Sequence, residues 1–147
     1  MRYLFLIAFL SLVHPALGDV VLKVPGDSQT ILQSGEWMPT PAQAQRAFAR
    51  IQTFLQKPDP SDQRSKAIDA IVSKQTGYRV QFFGARRNGK DIIVCNFFPT
   101  RTATGTDSFS YWREQQVVVD DGGFHFWRIE YDPATDACRD FQVNGDA

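Results

Sequence analysis

The spacing of the apolar residues changes at Tyr78, and this change constrains the class of fold. Before Tyr78, apolar residues recur every three or four positions, which is the spacing of one helix face. From Tyr78, apolar residues such as Val80 and Phe82 alternate with polar ones, which is the period of a strand. Helices followed by strands predict an α+β fold, in which two N-terminal helices pack on a four- to five-stranded antiparallel meander.

Two helices are predicted before the change in period. The first begins at a capping-box pattern, Thr40-Pro41-Ala42-Gln43, and ends at Pro58-Asp59-Pro60. Ser61 is placed to cap the second helix, which runs to about Lys74. Gly77 suits the left-handed conformation that often follows a helix end. Each helix has one apolar face, so we expect both to cover the same side of the sheet.

The predicted strands are joined by short turns. An Asn88-Gly89 turn makes the first two into a hairpin, and the polar loop from Thr100 to Ser108 precedes the third. Short turns join neighbouring antiparallel strands, so the sheet should be a meander. The predicted strands are Tyr78 to Phe82, Ile92 to Phe98, Tyr111 to Val119, Phe124 to Tyr131, and a short one near Phe141 and Val143.

The N-terminus has the form of an export signal. Arg2 is followed by an apolar run from Tyr3 to Val13, and Ala16-Leu17-Gly18 is a cleavage-site pattern that would leave Asp19 first. The run is shorter than the roughly 20 residues of a spanning helix, so a retained membrane anchor is the less favoured alternative. We predict a secreted or periplasmic protein with no integral membrane segment after signal removal.

The chain therefore divides into three parts. Residues 1–18 are the predicted signal peptide, residues 19–36 an extended lead-in with a candidate edge strand, and residues 37–147 a single α+β domain. The chain has 16 basic and 16 acidic residues. This balance argues against a nucleic-acid partner, which requires a strongly basic surface.

Two cysteines, Cys95 and Cys138, lie in the predicted mature chain. In an exported protein two thiols within reach of each other usually form a disulfide, so this pair is the disulfide candidate. The alternative is a buried, inert thiol at Cys95, among apolar neighbours, with Cys138 exposed near a turn. The sequence leaves both interpretations open.

No set of residues commits the chain to a catalytic chemistry, a metal or a cofactor. His125 could act as a base for a Cys95 nucleophile, but a histidine inside an aromatic run is more often a packed residue. Asp120 and Asp121 carry the oxygen ligands that calcium prefers, yet their spacing fits no calcium loop and favours a turn. We therefore predict no catalytic residue, no metal ligand and no cofactor.

Aromatic residues are abundant in the second half of the chain. Within Phe124 to Tyr131 both faces of the predicted strand begin with an aromatic residue. Either these side chains are ordinary core, or an aromatic strip remains exposed for a ligand or partner. The candidate surface residues are Trp112, Phe124, Phe126, Trp127 and Tyr131.

Two resemblances follow from these patterns. The order of helix and antiparallel strands resembles the cystatin-like layout, but the chain lacks the Gln-x-Val-x-Gly loop and the Pro-Trp pair of inhibitory cystatins, so no inhibitory residue is implied. About two thirds of the chain also resembles short uncharacterised exported bacterial proteins, a resemblance that implies no catalytic role. The motifs that carry this resemblance are Trp37-x-Pro39-Thr40, Tyr78-x-x-Gln81-Phe82-x-Gly84, Asn96-x-Phe98, Trp112, Val119-x-Asp121-Gly122-Gly123, Tyr131-Asp132 and Asn144-Gly145-x-Ala147.

The favoured functional hypothesis is a small exported binding module without enzymatic activity. Its partner would be a protein, a peptide or an envelope component, bound through the sheet surface and the Thr100 to Ser108 loop. One alternative is a small hydrolase with His125 and an aspartate in a pocket. The other is a protease inhibitor of cystatin-like fold.

Overall fold

In the computed structural model a short strand precedes two helices, and four further strands follow them. The structure describes residues 21–56, 62–74, 76–107 and 109–145. The predicted signal peptide, the Pro58-Asp59-Pro60 helix stop, the Ser61 cap and Ala147 lie outside the described residues. The elements are β1 (Gln29–Ile31), α1 (Pro41–Gln56), α2 (Asp62–Ser73), β2 (Tyr78–Arg87), β3 (Lys90–Pro99), β4 (Trp127–Asp132) and β5 (Ala137–Val143).

The five strands form one mixed sheet in the order β1-β2-β3-β4-β5. The pairs β2–β3, β3–β4 and β4–β5 are all antiparallel, as expected of a meander. Strand β1 pairs parallel with β2, with Gln29 opposite Val80. The parallel pairing is possible because two helices lie between β1 and β2 and carry the chain back along the sheet. The α+β class is confirmed, but the prediction of an all-antiparallel sheet is wrong, and β1, which lies in the predicted lead-in, joins the sheet ahead of both helices.

The segment predicted as a third strand, Tyr111 to Val119, does not join the sheet. It is part of a stretch of turns and irregular chain, residues 109–121, that we call the cover segment. Trp112 and Val117 of this segment pack against Phe98. Phe97, the residue before Phe98, lies on the side of the sheet that faces the helices. Because successive side chains of a strand point to opposite faces, Phe98 faces away from the helices. The cover segment therefore shields the part of the second face that surrounds Phe98.

The strand predicted from Phe124 begins later, at Trp127. A short 3-10 turn, Gly123–His125, occupies the start of the predicted strand. Strand β4 then takes the place expected of the third strand, pairing with β3 through Phe97 and Trp127. The last strand, predicted only near Phe141 and Val143, covers Ala137–Val143.

Helix α1 begins as the sequence predicts. The backbone N–H of Gln43 donates to Thr40 Oγ1 at 3.2 Å, and the backbone N–H of Thr40 donates to Gln43 Oε1 at 2.9 Å. This reciprocal pair is a capping box, which satisfies two amide donors at the helix start. The buried stripe of α1 is Ala44, Ala47, Ile51 and Leu55, on the face turned toward the sheet.

The lead-in is part of the folded body rather than a separate extension. Leu22 and Leu32 are buried. The Gln52 side chain of α1 pairs with the backbone of Leu22, accepting its N–H at 2.8 Å and donating to its carbonyl at 2.8 Å. Directly after the lead-in, the ring of Trp37 lies on Gly84 of β2, and Trp37 Nε1 donates to the Ala85 carbonyl.

The main core lies between the helices and the sheet. Its centre is a stacked pair, Phe97 and Trp127, with ring centroids 3.8 Å apart and planes within 2°. Tyr78 packs edge-on against both rings. Ile71 of α2 belongs to the same core, and α2 also contacts the Gly123–His125 turn. Within the described ranges no helix is long and apolar enough to cross a membrane.

Candidate functional site

The five aromatic residues predicted as a surface are divided between the two faces of the sheet. Trp127 and Tyr131 are 1% and 0% exposed in the helix-side core, and Phe124 packs against that core. Trp112 of the cover segment, 4% exposed, and Phe126 belong to the cluster around Phe98 on the other face. They do not form one exposed strip, because Trp127 and Tyr131 are buried on the helix side of the sheet and Trp112 packs against Phe98 on the other side. Ordinary core was the favoured interpretation of the aromatic residues, and it describes Trp112, Trp127 and Tyr131.

Side-chain amides hold the cover segment on the sheet. The fully buried Gln81 donates to the carbonyls of Trp112 and Gln115, and its Oε1 accepts from Asn96 Nδ2 at 3.1 Å and from the backbone N–H of Val117 at 3.0 Å. Asn96 Nδ2 also donates to the Val117 carbonyl at 2.9 Å. These bonds replace the ladder that a true third strand would have made.

A third amide holds the end of the cover segment. Asn144, which follows β5, donates from Nδ2 to the carbonyls of Val119 and Asp121. At the other end, the guanidinium of Arg79 lies 4.9 Å from the centre of the Trp112 ring and forms a two-bond ion pair with Asp107. The ion pair lowers the pKa of Asp107 to about 2. Both ends of the cover segment are therefore fixed to strand residues or their neighbours.

The two cysteines are thiols, and no disulfide joins them. Cys95 lies on β3 and Cys138 on β5, with β4 between them. Two strand spacings are roughly 10 Å. A disulfide needs Cα atoms about 4.4–6.8 Å apart. The disulfide interpretation is therefore corrected: the two strands are not neighbours in the sheet.

The predicted Cys95 and His125 dyad also has no geometric support. Cys95 is fully buried, and burial raises the pKa of its thiol well above the ordinary value, which favours the un-ionised form. No hydrogen bond joins Cys95 to His125 among the described residues; the thiol lies 3.9 Å from the Ile93 carbonyl. His125 instead contacts Lys74 at the end of α2.

An apolar recess opens where α2, the loop after β3 and the Gly123–His125 turn meet. Its volume is about 520 Å³. Gly122, with φ of +94°, lets the Phe126 ring lie close above it, because a Cβ at this position would come within 2.5 Å of that ring. The apolar walls of the recess are Pro99, Ala103, Phe109, Val119 and Phe126, and its polar lining includes Lys74, Arg101, Thr102, Asp121 and His125.

Two basic side chains meet at this recess. Lys74 Nζ lies 2.8 Å from His125 Nδ1, so a neutral imidazole can accept a hydrogen bond from the ammonium. Burial lowers the pKa of Lys74, and burial together with the Lys74 charge lowers the pKa of His125. Among the described residues, neither group forms an ion pair with a carboxylate. Asp121 lines the recess but pairs with neither of them.

The loop predicted as exposed forms one side of the recess. Its described part, residues 100–107, is mostly exposed and is organised by a turn in which the N–H of Thr102 donates to the Thr106 carbonyl at 2.9 Å. The hydroxyls of Thr102, Thr104 and Thr106 also contact one another. Ser108 lies outside the described residues.

The contact between Lys74 and His125 gave no signal in the sequence. The two residues are 51 positions apart, and neither belongs to a recognisable motif.

The aspartates considered for calcium do not form a metal site, since no group of three or more His, Cys, Asp or Glu in the described part of the chain could hold a metal ion. Asp132, the last residue of β4, accepts from the N–H groups of Ala134 and Thr135, as a turn-forming aspartate does.

The chain was compared with protein-family models, with curated proteins and with solved structures, and none of the three comparisons found a match.

Proposed function

We propose that this chain is an exported binding module without enzymatic activity, and that its ligand places an apolar group in the recess. The recess itself is the observation that carries the proposal. Its volume of about 520 Å³ is that of a small-molecule or side-chain pocket, and its walls are apolar with a few polar groups at one side. It brings together the loop after β3 and Phe126, two parts of the binding surface expected from the sequence.

The polar groups of the recess suit binding better than hydrolysis. A histidine that acts as a base is normally oriented by a carboxylate, whereas the Nδ1 atom of His125 faces the ammonium of Lys74. No described carboxylate bonds to His125, and Cys95 is buried away from solvent. These contacts favour the binding module over the hydrolase. No contact among the described residues favours the protease inhibitor.

The export part of the proposal depends on the sequence of residues 1–18. Intact-mass measurement on the protein isolated from its own host tests it, and we expect a chain that begins at Asp19. A chain that retains Met1 would contradict export by this signal. The partner class remains a protein, a peptide or an envelope component that carries an exposed apolar group.

Blocking the recess tests the binding proposal. We expect 1-octanol, added to the ¹⁵N-labelled protein, to shift the amide resonances of Ala103, Val119 and Phe126. Ala103→Trp fills the recess from its exposed rim and should abolish these shifts. Ala49→Trp, on the exposed side of α1, is the matched control and should retain them.

The amide spectrum also shows that each variant is folded before binding is judged. Shifts that survive in Ala103→Trp, or that map to another part of the protein, would contradict the proposed site.

A further inference from the structure

Two of the basic groups at the recess, Lys74 and His125, form no ion pair with a described carboxylate. Lys74 and His125 contact each other at 2.8 Å, and Arg101 lines the same recess. The described residues supply only one acid to the lining, Asp121, and it forms no ion pair with any of the three. The recess therefore combines apolar walls with an ammonium and an imidazole that form no ion pair with a described carboxylate.

A ligand that supplies a negative charge would make this arrangement more favourable, since Lys74 and His125 are both partly buried. Two cationic or polar donors at the edge of an apolar cavity lose hydration, and contact between like charges adds repulsion whenever His125 is protonated. A carboxylate placed beside them would accept hydrogen bonds from the Lys74 ammonium and from the imidazole. Charge-assisted bonds of this kind are stronger than neutral ones, and stronger still where water is partly excluded.

We infer that the recess binds an apolar carboxylate, with its tail against Phe109, Val119 and Phe126 and its head group on Lys74 and His125. The inference rests on the binding function proposed above and specifies its ligand class. Charge complementarity selects the head group, since the Lys74 ammonium and the His125 imidazole meet at the recess and neither forms an ion pair with a described carboxylate. The apolar walls select the tail.

Three probes with the same tail separate the head group from the tail: octanoate, 1-octanol and octylamine. Titration calorimetry or amide shifts at neutral pH should give octanoate an affinity about tenfold or more above that of 1-octanol. Octylamine should bind more weakly than both, because its ammonium meets Lys74 and Arg101. Extending the carboxylate from six to eight to ten carbons should raise affinity about fourfold for each methylene that the recess still encloses.

Replacing Lys74 tests the head-group contact directly. Lys74→Met keeps the length and apolar stem of the side chain but removes the charge, and should lower octanoate affinity about tenfold while leaving 1-octanol unchanged. Lys66→Met, at an exposed position of α2, is the matched control and should alter neither affinity. The His125 resonance should also move on addition of octanoate in the wild-type protein.

The carboxylate could come from a free acid or from the C-terminus of an apolar peptide. A peptide ending in Leu-Phe, compared as free acid and as amide, distinguishes these sources. If the free-acid peptide binds more tightly than octanoate, the natural source is a chain terminus; if octanoate binds more tightly, it is a free acid. Both results support a carboxylate ligand, provided that the peptide amide binds less well than the free acid.

Different failures contradict different claims. If octanoate and 1-octanol bind equally, or if Lys74→Met leaves octanoate affinity unchanged, the carboxylate inference is wrong while the binding function stands. If Ala103→Trp displaces neither probe, the recess is not the binding site, and both the inference and the proposed function fail.

Discussion

Replacing Gln81 with leucine tests whether the cover segment is held on the sheet by buried amides. Gln81 is 0% exposed, and its side chain uses both donor hydrogens and both acceptor positions. Leucine has a similar volume and keeps the packing, so the change removes hydrogen bonds rather than creating a cavity. Asn96 keeps its second bond, to the Val117 carbonyl.

The cost can be worked from the groups left without partners. The N–H of Val117 and the carbonyl of Trp112 belong to buried residues, and both lose their partner in Gln81→Leu. A buried polar group without a partner costs about 1–3 kcal/mol, so two of them cost roughly 2–6 kcal/mol. Gln115 is exposed, and its carbonyl can turn to water. We expect the free energy of unfolding to fall by about 3 kcal/mol, since the segment can shift and admit some water.

Urea unfolding of the purified protein measures this loss. Gln45→Leu, at an exposed position of α1, is the matched control and should change the free energy of unfolding by less than about 0.5 kcal/mol. The double variant with Asn96→Leu should be less destabilised than the sum of the single variants, because both residues bond to Val117. A loss below about 0.5 kcal/mol in Gln81→Leu would refute the role of this amide.

Three further changes test the fold and the recess. Gly84→Ala should destabilise the protein by about 1–3 kcal/mol in the same assay, because its Cβ would meet the Trp37 carbonyl oxygen at 2.2 Å, whereas Gly26→Ala, with nothing within 4 Å, should be near neutral. The protein unfolded without reductant should titrate as two thiols, and a count of zero would show that the cysteines are joined. The NMR-measured pKa of His125 should lie below its ordinary 6.5 and rise in Lys74→Met, and a value unchanged by that substitution would contradict the contact. Because the folded-state pKa is the lower one, the unfolded chain binds the proton more readily, so this group lowers stability as pH falls through 6.5 toward the folded-state pKa.

Local patterns predicted the elements whose structure is determined locally. The capping box at Thr40 is made by residues three positions apart, and its bonds are present. The Asn88-Gly89 turn sets the register of the β2–β3 hairpin, with Asn88 and Gly89 both at positive φ. In such segments the interactions that decide the structure join residues a few positions apart, so the sequence alone predicts it.

The prediction of a third strand was wrong because the irregular structure that this segment adopts depends on distant residues. Tyr111 to Val119 has β-branched and aromatic residues enough for a strand, but its backbone groups bond to the side chains of Gln81 and Asn96. No local pattern indicates that a glutamine on one strand and an asparagine on the next will capture a segment more than 20 residues further on. The parallel pairing of β1 was missed for the same reason, since the path of both helices decides it.

The recess could not be predicted because its walls, too, are positioned by residues that are distant in sequence. The bonds that hold the cover segment also position part of these walls. Val119 forms part of its wall and is also the residue whose carbonyl accepts from Asn144. Phe126 forms another part of the wall and packs in the cluster that contains Trp112 of the cover segment. The amides that hold the cover segment therefore also hold two walls of the recess. A substitution that releases the segment, such as Gln81→Leu, should weaken octanoate binding without touching Lys74 or His125, whereas Gly84→Ala, whose contact is with Trp37 at the far end of β2, should lower stability and leave the recess intact.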